Sequence, residues 1–261
     1  MAGVYTVEKK GVVIGAGRPE ILVSAQGRSA PEILASVAAL SAASGVTGIE
    51  VRLDYLDSGR NSDEIAELSG LLEAAYRAAG EKLLIATVRT RAEGGEAAFT
   101  DPEYARLVGS LINLAPMDLV DIEADRGDDL VRALVKAAHE KGVGVIMSHH
   151  DFKKTPETKE LRATLEREKA LGGDILKLAV MPEKASDVAR LLLVTAQAKE
   201  AGLSPLVTMS MGPLGSVSRV SGEVFGSALT FAMTGKASAP GQLAVEEVAS
   251  ITSALSPVRE A

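Results

Sequence analysis

The sequence predicts a (β/α)8 barrel with an N-terminal β-hairpin that closes the bottom of the barrel. Eight short apolar runs rich in β-branched residues alternate with stretches rich in Ala, Leu and Glu. The alternation extends over roughly 240 residues, which is the usual size of this fold. No linker, low-complexity segment or charge block divides the chain. We therefore expect one domain over residues 1–261, with the hairpin at about residues 1–18.

The elements follow one another in a regular order. The opening segment VYTVEKKGVVIGA alternates like a small hairpin. The strand-like runs are EILVSAQ, GIEVRLDYL, LLIATVRT, LVDIEAD, GVIMSHHD, DILKLAVM, PLVTMSMG and ALTFAMT. A doubly wound open sheet would give the same alternation, but it favours a Gly-rich dinucleotide turn after an early strand. Neither GAGRP nor GPLGS has the required spacing and context, so the barrel is favoured.

Helix boundaries are predicted from capping residues and glycines. Polar residues are expected to begin three of the helices: Ser62, Asp101 and Thr155. Glycines are expected to end four of the helices: Gly45, Gly80, Gly142 and Gly202.

Composition excludes several classes of function. The net charge of −7 argues against nucleic acid or an acidic membrane surface as a partner. The absence of Cys excludes a disulfide framework, a thiol nucleophile and a thiolate metal site, and it fits a reducing cytosol. No apolar run approaches the roughly 18 residues of a membrane span, and the N-terminus lacks a signal-peptide core. We expect a soluble, cytoplasmic protein.

Lys177 interrupts the apolar run DILKLAVM. Because strand side chains alternate, Ile175, Lys177 and Ala179 share one face of the predicted strand. A solitary interior amine that burial keeps partly neutral can attack a carbonyl and form a Schiff base. The alternatives are a lysine that extends its ammonium group to solvent and one half of a buried ion pair.

The segment SHHDF ends the fifth predicted strand and carries the adjacent His149 and His150. The two side chains point to opposite faces, so only one can face the barrel mouth and act as a proton shuttle. The alternative is one hydrogen-bonded histidine and one surface histidine. A metal site is a third interpretation, but the only other histidine is His139, so carboxylates would have to complete a zinc site.

Other polar residues lie near the predicted strand ends. The charged ones are Glu50, Arg52, Arg89, Glu93 and Arg219. Arginines there suit bidentate binding of a carboxylate or phosphate, and the alternatives are a structural Glu50–Arg52 ion pair or solvated charges. Met209 and Met211 share a strand face, which is typical of core packing. The segment SAPGQ, residues 238–242, indicates a turn. Together these residues favour imine chemistry on an anionic carbonyl compound.

Seven segments, read in order, resemble the type I 3-dehydroquinate dehydratase family. They are GIEVRLDYL, ATVRTRAEGG, VDIEAD, IMSHHDFKKTP, DILKLAVMP, VTMSMGPLGSVSRVSGEVFGSALTFA and ASAPGQ. The resemblance implies a hydro-lyase of the shikimate pathway of aromatic amino acid biosynthesis. Such an enzyme converts 3-dehydroquinate to 3-dehydroshikimate with no metal or cofactor. It also implies a homodimer.

The resemblance also implies residue roles. Lys177 would form an imine with the C3 ketone of the substrate. His150 would remove the C2 proton and help the C1 hydroxyl leave, while Glu93 holds the imidazole. Arg219 would pair with the substrate carboxylate. The other substrate-binding residues would be Glu50, Arg52, Arg89, Ser238, Gln242, Met209, Met211 and Phe231.

Two other functions are compatible with these residues. One is another Schiff-base lyase on the same barrel, such as an aldolase, which usually has a phosphate site near the last two strands. The other is a barrel that only binds carboxylates, in which one of Lys177, His150 and Glu93 is expected to be replaced. All three are present, so the dehydratase is favoured.

Overall fold

The structure, a computed structural model, describes residues 6–203, 205–235 and 237–256. Residues 1–5 and 257–261 of the predicted domain lie outside this part. The chain begins with an antiparallel hairpin formed by β1 (Val7–Lys9) and β2 (Val12–Ile14). The barrel strands are β3 (Glu20–Ala25), β4 (Gly48–Arg52), β5 (Leu83–Thr87), β6 (Leu119–Glu123), β7 (Gly144–Asp151), β8 (Ile175–Val180), β9 (Leu206–Ser210) and β10 (Leu229–Ala232).

The eight barrel strands are parallel and pair in chain order from β3 to β9, and β10 returns to pair with β3. Between β9 and β10, the Ala228 N–H donates to the Leu206 carbonyl at 2.6 Å. The helices are α1 (Ala30–Ala42), α2 (Ser62–Ala79), α3 (Asp101–Leu114), α4 (Asp128–Glu140), α5 (Thr158–Ala170), α6 (Ala185–Glu200), α7 (Val217–Val220), α8 (Gly222–Phe225) and α9 (Val245–Leu255). The predicted (β/α)8 barrel and its N-terminal hairpin are confirmed.

The helix boundaries correct three sequence predictions. The N-caps are Asn61, Thr100 and Glu157, whereas Ser62, Asp101 and Thr155 were expected. Thr100 and Glu157 form capping boxes with glutamates three residues later, and this second hydrogen bond fixes where each helix begins. The glycines predicted to end helices all have positive φ, between 59° and 82°, as expected for left-handed C-terminal positions.

The barrel interior is apolar at the bottom and polar at the top. In the register of the sheet, Ile146 of β7 lies beside Ile175 of β8, and two residues later Ser148 lies beside Lys177. Strand side chains alternate, so these residues of β7 and β8 point into the barrel in successive layers. The polar groups therefore collect at the carboxyl ends of the strands, where barrel enzymes carry their active sites.

The hairpin lies at the opposite end of the barrel. Ile14 is fully buried against interior residues such as Leu22 and Leu83. The Lys10 ammonium donates to the Lys82 carbonyl at 2.9 Å and pairs with Asp118 at 3.1 Å. These contacts close the bottom of the barrel. Among the described residues, no helix is long and apolar enough to cross a bilayer.

Helix α5 carries one fully buried carboxyl group, that of Glu168. Neither of its oxygens makes a hydrogen bond of normal geometry within the described part of the chain. Burial, reinforced by the charges of Glu93 and Asp125, raises the pKa of Glu168 well above its ordinary value, although the backbone N–H of Lys177 opposes the shift. Burial therefore favours the protonated form of Glu168, which packs behind the strands that carry the candidate site.

Candidate active site

A cavity opens at the carboxyl ends of the strands and holds about 520 Å³ of empty space, its mouth included. The structure brings all the predicted site residues to its lining: Lys177, His150, Glu93, Glu50, Arg52, Arg89, Arg219, Ser238, Gln242, Met209, Met211 and Phe231. The lining also contains residues that the sequence analysis did not single out for the site: Ser24, Gly94, Phe152, Ala179 and Ala239. The site residues come from most of the strands and the loops that follow them.

Lys177 projects from β8 into this cavity and is buried. Its Nζ lies 2.9 Å from Oδ2 of Asp121, 4.0 Å from Oε1 of Glu50 and 4.7 Å from the ring centroid of Phe231. The expected solitary amine is therefore wrong, and Lys177 is one half of a buried ion pair. A carboxylate and an aromatic face both stabilise an ammonium that has lost its water.

Asp121, on β6, is a site residue that the sequence analysis missed. Its carboxylate pairs with Arg89 Nη2 at 2.7 Å and accepts a hydrogen bond from the Ser148 hydroxyl at 2.6 Å. Burial opposes ionisation, but Arg89 and Lys177 together hold the pKa of Asp121 well below its ordinary value. The alternation of Asp121 and Glu123 in VDIEAD could have indicated Asp121, since both side chains enter the barrel.

His150 and Glu93 form a buried pair at the cavity wall. His150 Nδ1 lies 2.8 Å from Oε2 of Glu93, and Arg89 Nη1 donates to the same oxygen at 3.1 Å. Burial, with the nearby charges of Arg89 and Lys177, lowers the pKa of His150 well below its ordinary value. The imidazole is thus neutral at neutral pH. Burial raises the pKa of Glu93 well above its ordinary value, although the adjacent Arg89 guanidinium favours the ionised form. When Nδ1–H donates to the ionised Glu93 carboxylate, Nε2 keeps a free lone pair that can accept a proton.

Arg89 is a hub beneath the cavity. Besides Asp121 and Glu93, its Nη1 contacts Glu123 at 3.3 Å and donates to the Ser148 hydroxyl at 2.9 Å. One guanidinium therefore fixes three carboxylates, two from β6 and one from the loop that follows β5. This arrangement orders the acidic residues around Lys177 and His150.

Arg52 and Glu50 alternate on β4 but do not pair with each other. The Arg52 guanidinium makes a bidentate pair with Asp54, at 2.7 and 2.8 Å. Glu50 accepts hydrogen bonds from the hydroxyls of Thr87, at 2.9 Å, and Ser24. The Glu50–Arg52 ion pair considered from the sequence is therefore wrong.

Arg219, on α7, is a buried cation with no acidic partner. Its Nη2 donates to the Pro240 carbonyl at 3.0 Å, and its Nη1 meets Sδ of Met209 at 3.6 Å. Nε has no hydrogen-bond partner, and no carboxylate of the described residues lies within 4.0 Å of the guanidinium. Burial lowers the pKa of Arg219 to about 10. A buried cation of this kind is stabilised when an anionic ligand enters the cavity.

The segment 238–242 covers one side of the cavity. The Gln242 side-chain carbonyl accepts the Ser238 N–H at 2.7 Å, so the segment closes on itself. The Gly212 N–H donates to the Pro240 carbonyl at 3.1 Å, and this contact fixes the segment to the loop after β9. Gly241 has φ +78°, and a Cβ there would overlap the Gly212 carbonyl, so glycine is required.

The two adjacent histidines have separate environments. His150 points inward to Glu93, whereas His149 points outward and its Nδ1 lies 2.7 Å from Oδ2 of Asp125. The Asp125 carboxylate also accepts a hydrogen bond from Arg167 at 2.8 Å. The sequence alternation therefore separated the two side chains correctly.

Comparisons with known proteins match this chain to one family. The family model described as Type I 3-dehydroquinase matches residues 21–257. The chain belongs to the type I 3-dehydroquinase family. A 3-dehydroquinate dehydratase from Lactiplantibacillus plantarum is 39% identical over 93% of this chain and 94% of the relative. One from Salmonella choleraesuis is 38% identical over 96% of this chain and 98% of the relative.

Solved structures of 3-dehydroquinate dehydratases have the same fold. The type I 3-dehydroquinate dehydratase of Clostridium difficile, solved with covalently modified comenic acid, gives a TM-score of 0.89 at 37% identity, over 96% of this chain and 97% of that one. The Enterococcus faecalis 3-dehydroquinate dehydratase gives 0.88 at 35% identity, over 96% and 99%. The family, the fold and the hydro-lyase class predicted from the sequence are thereby confirmed.

Proposed function

We propose that this enzyme removes water from 3-dehydroquinate through a Schiff base on Lys177, with His150 as the acid–base group. The observation that supports this most strongly is that two buried basic side chains, Arg219 and Lys177, line the same cavity. Arg219 has no acidic partner and suits a carboxylate, while Lys177 is an amine that suits a ketone. A substrate that carries both groups satisfies both residues.

The first step joins Lys177 to the substrate. The ammonium loses a proton to the neutral His150 imidazole in the same cavity, and the free amine adds to the C3 carbonyl. The protonated His150 then returns its proton to the former ketone oxygen, which leaves as water, so that a protonated imine and a neutral imidazole remain. Asp121, which stays ionised between Arg89 and Lys177, stabilises that positive charge from 2.9 Å below.

The second step is the elimination. The imine withdraws electrons, so the neighbouring C2–H becomes acidic and Nε2 of His150 removes it. The resulting enamine expels the C1 hydroxyl, which leaves as water with the proton that His150 then donates. Glu93 holds the imidazole in the reactive tautomer and stabilises its cationic form. Hydrolysis of the imine releases 3-dehydroshikimate and restores Lys177.

The remaining residues position the substrate and exclude solvent. Glu50, Arg52 and Arg89 present polar groups that suit the substrate hydroxyls, and Ser238 and Gln242 cover the cavity. Apolar walls come from Met209, Met211 and Phe231, which are all buried. These walls limit water around the imine, which protects it from premature hydrolysis.

The test is a borohydride trap. The enzyme is mixed with 3-dehydroquinate, reduced and peptide-mapped, and we expect a ligand-sized added mass on Lys177. Lys177→Ala should give neither adduct nor turnover, while Lys153→Ala, at a lysine outside the substrate cavity, should retain both. Folded wild-type enzyme that gives no adduct and no 3-dehydroshikimate would contradict the proposal and favour an aldolase or a binding-only barrel.

We also propose a homodimer. Apolar side chains that are about half exposed lie on neighbouring elements of one side of the barrel: Leu193, Leu214, Val217 and Val224. A second copy of the chain would cover such a surface. Sedimentation equilibrium should give twice the chain mass, and a concentration-independent monomer would contradict this proposal.

We also propose a cytoplasmic location and a single domain. The lack of Cys supports a reducing, cytoplasmic compartment. The continuous strand order supports one domain over the whole chain. Fractionation of cells by compartment and the cooperativity of thermal unfolding test these two points.

A further inference from the structure

A second cavity opens to solvent on the far side of the Glu93–His150 pair. It holds about 820 Å³ of empty space, its mouth included, and its lining contains both residues of the pair together with Asp125 and His149. The substrate cavity and this second cavity therefore share the same catalytic wall. The proposed dehydration reaction leaves the second cavity unused.

Three side chains in the second cavity bring metal-ligand atoms together. One donor atom each from Glu93, Asp125 and His149 lies within 4.8 Å of the other two, and no other such trio occurs among residues 6–203, 205–235 and 237–256. A separate observation concerns Glu93, which is only 6% exposed. Its Oε1 is buried without a hydrogen-bond partner, and a buried acceptor of this kind is costly to leave unsatisfied.

We propose that Glu93, Asp125 and His149 bind a divalent transition-metal ion, with Zn²⁺ as the best match, and that this ion inhibits the enzyme. One imidazole and two carboxylates leave a fourth position open for water, which is a common tetrahedral zinc arrangement. The imidazole nitrogen favours Zn²⁺ over Mg²⁺, which prefers oxygen ligands. The inhibition, but not the binding, rests on the catalytic role proposed for Glu93.

The surrounding charges are compatible with a bound cation. Arg126 is paired with Glu123 at 2.7 Å and with Asp101 at 3.1 Å, so its charge is balanced. Arg167 donates to Oδ1 of Asp125, whereas His149 contacts Oδ2 of the same carboxylate. Arg167 thus orients the Asp125 carboxylate, as residues next to metal ligands usually do.

Inhibition follows from what Glu93 does for His150. A cation that shares the Glu93 carboxylate weakens the hydrogen bond from Nδ1 of His150, which fixes the imidazole tautomer. Lys177 and Arg219 lie in the other cavity and do not contact the ion site. Zn²⁺ is therefore expected to lower kcat and leave KM nearly unchanged.

The test adds ZnCl2 to purified enzyme. Calorimetric titration without substrate measures binding, and steady-state kinetics measure inhibition. The variants are His149→Gln and Asp125→Asn, at positions where the wild-type side chains are 24% and 53% exposed, and circular dichroism verifies that both fold. The matched control is His139→Gln, because His139 also pairs with an aspartate, Asp174 at 2.9 Å, far from this cavity. MgCl2 serves as the hard-cation control.

We expect one Zn²⁺ per chain in the wild type and in His139→Gln, with affinity at least about tenfold weaker in His149→Gln and Asp125→Asn. The inhibition should weaken in parallel in these two variants, and MgCl2 should have no effect. Absence of stoichiometric binding to the wild type, or binding unchanged in both variants, would overturn the site. Binding without a fall in kcat would overturn the inhibitory role. Because calorimetry needs no substrate, failure of the proposed dehydration would leave the binding result intact.

Discussion

Replacing Glu168 by Met tests the energetic consequence of the isolated carboxyl group in α5. The substitution preserves most of the volume and removes a buried polar group that has no hydrogen bond of normal geometry. Leaving such a group unsatisfied costs about 1–3 kcal/mol, so the free energy of unfolding should rise by roughly that amount. For a domain of this size the melting temperature should rise by roughly 2–12 °C.

The sign of the pH dependence follows from the raised pKa of Glu168. As pH rises above the ordinary range of a glutamate, the unfolded chain loses the proton while the folded chain keeps it. Wild-type stability should therefore fall with rising pH, by about 1.4 kcal/mol per unit until the folded-state pKa is reached. The advantage of Glu168→Met should grow over the same interval.

The assay is urea unfolding of the wild type, Glu168→Met and Glu168→Gln at several pH values, followed by circular dichroism. Glu168→Gln cannot titrate but keeps a buried polar group, so it should lose the pH dependence without the full gain of Glu168→Met. Wild-type and Glu168→Met stabilities that stay parallel across pH would refute the assignment of a protonated Glu168.

The remaining predictions concern the catalytic cavity. His150→Ala should still give the borohydride adduct but turn over about 10²–10⁴-fold more slowly, the usual contribution of acid–base catalysis. Because the pKa of His150 is lowered, wild-type kcat/KM should fall only when pH drops below the ordinary histidine range, as a pH–rate profile would show. Arg219→Met should lose roughly 10- to 100-fold in kcat/KM, since a charged hydrogen bond contributes about 1.5–3 kcal/mol. Gly241→Ala should raise KM, because its Cβ would overlap the Gly212 carbonyl.

Particular results would contradict these expectations. An unchanged rate in His150→Ala would move the proton transfer to another group, with His149 the first to test. Unchanged kcat/KM in Arg219→Met would remove the proposed carboxylate contact. A fall in wild-type kcat/KM at low pH that is centred at or above the ordinary histidine pKa would show that the site stabilises the cationic imidazole of His150 rather than destabilising it. Wild-type KM in Gly241→Ala would show that the covering segment does not contribute to substrate binding.

The sequence predicted the barrel because its strands and helices have different periods and alternate without interruption. It also grouped Lys177 with Ile175 and Ala179 on one strand face and put His149 and His150 on opposite faces, since the period of two in a strand is local information. The choice of His150 as the inward histidine came from the family resemblance. The N-caps were one or two positions off because Ser62, Asp101 and Thr155 each lie within two residues of another residue able to cap. The choice depends on which side chain completes the hydrogen bond.

The ion pairs of the site could not be predicted from the sequence in the same way. Asp121 reaches Lys177 from two strands away, and Arg52 selects Asp54 rather than Glu50. The first outcome depends on sheet register, which is a property of the closed barrel. The second depends on the single 3₁₀ turn Leu53–Leu56 that follows β4. Ser24 carried no clear signal, because a hydroxyl in an apolar strand is compatible with many environments.

Arg219 has two tasks that cannot be separated. The same guanidinium that faces the substrate cavity also holds the Pro240 carbonyl of the covering segment. A carboxylate that enters the cavity therefore shares its hydrogen-bond donors with that segment. Ligand occupancy and the placement of the segment are thermodynamically linked through one side chain, and linkage of this kind is reciprocal. A change in how firmly the segment is held therefore changes the affinity for the ligand, and ligand binding changes the stability of the segment by the same free energy.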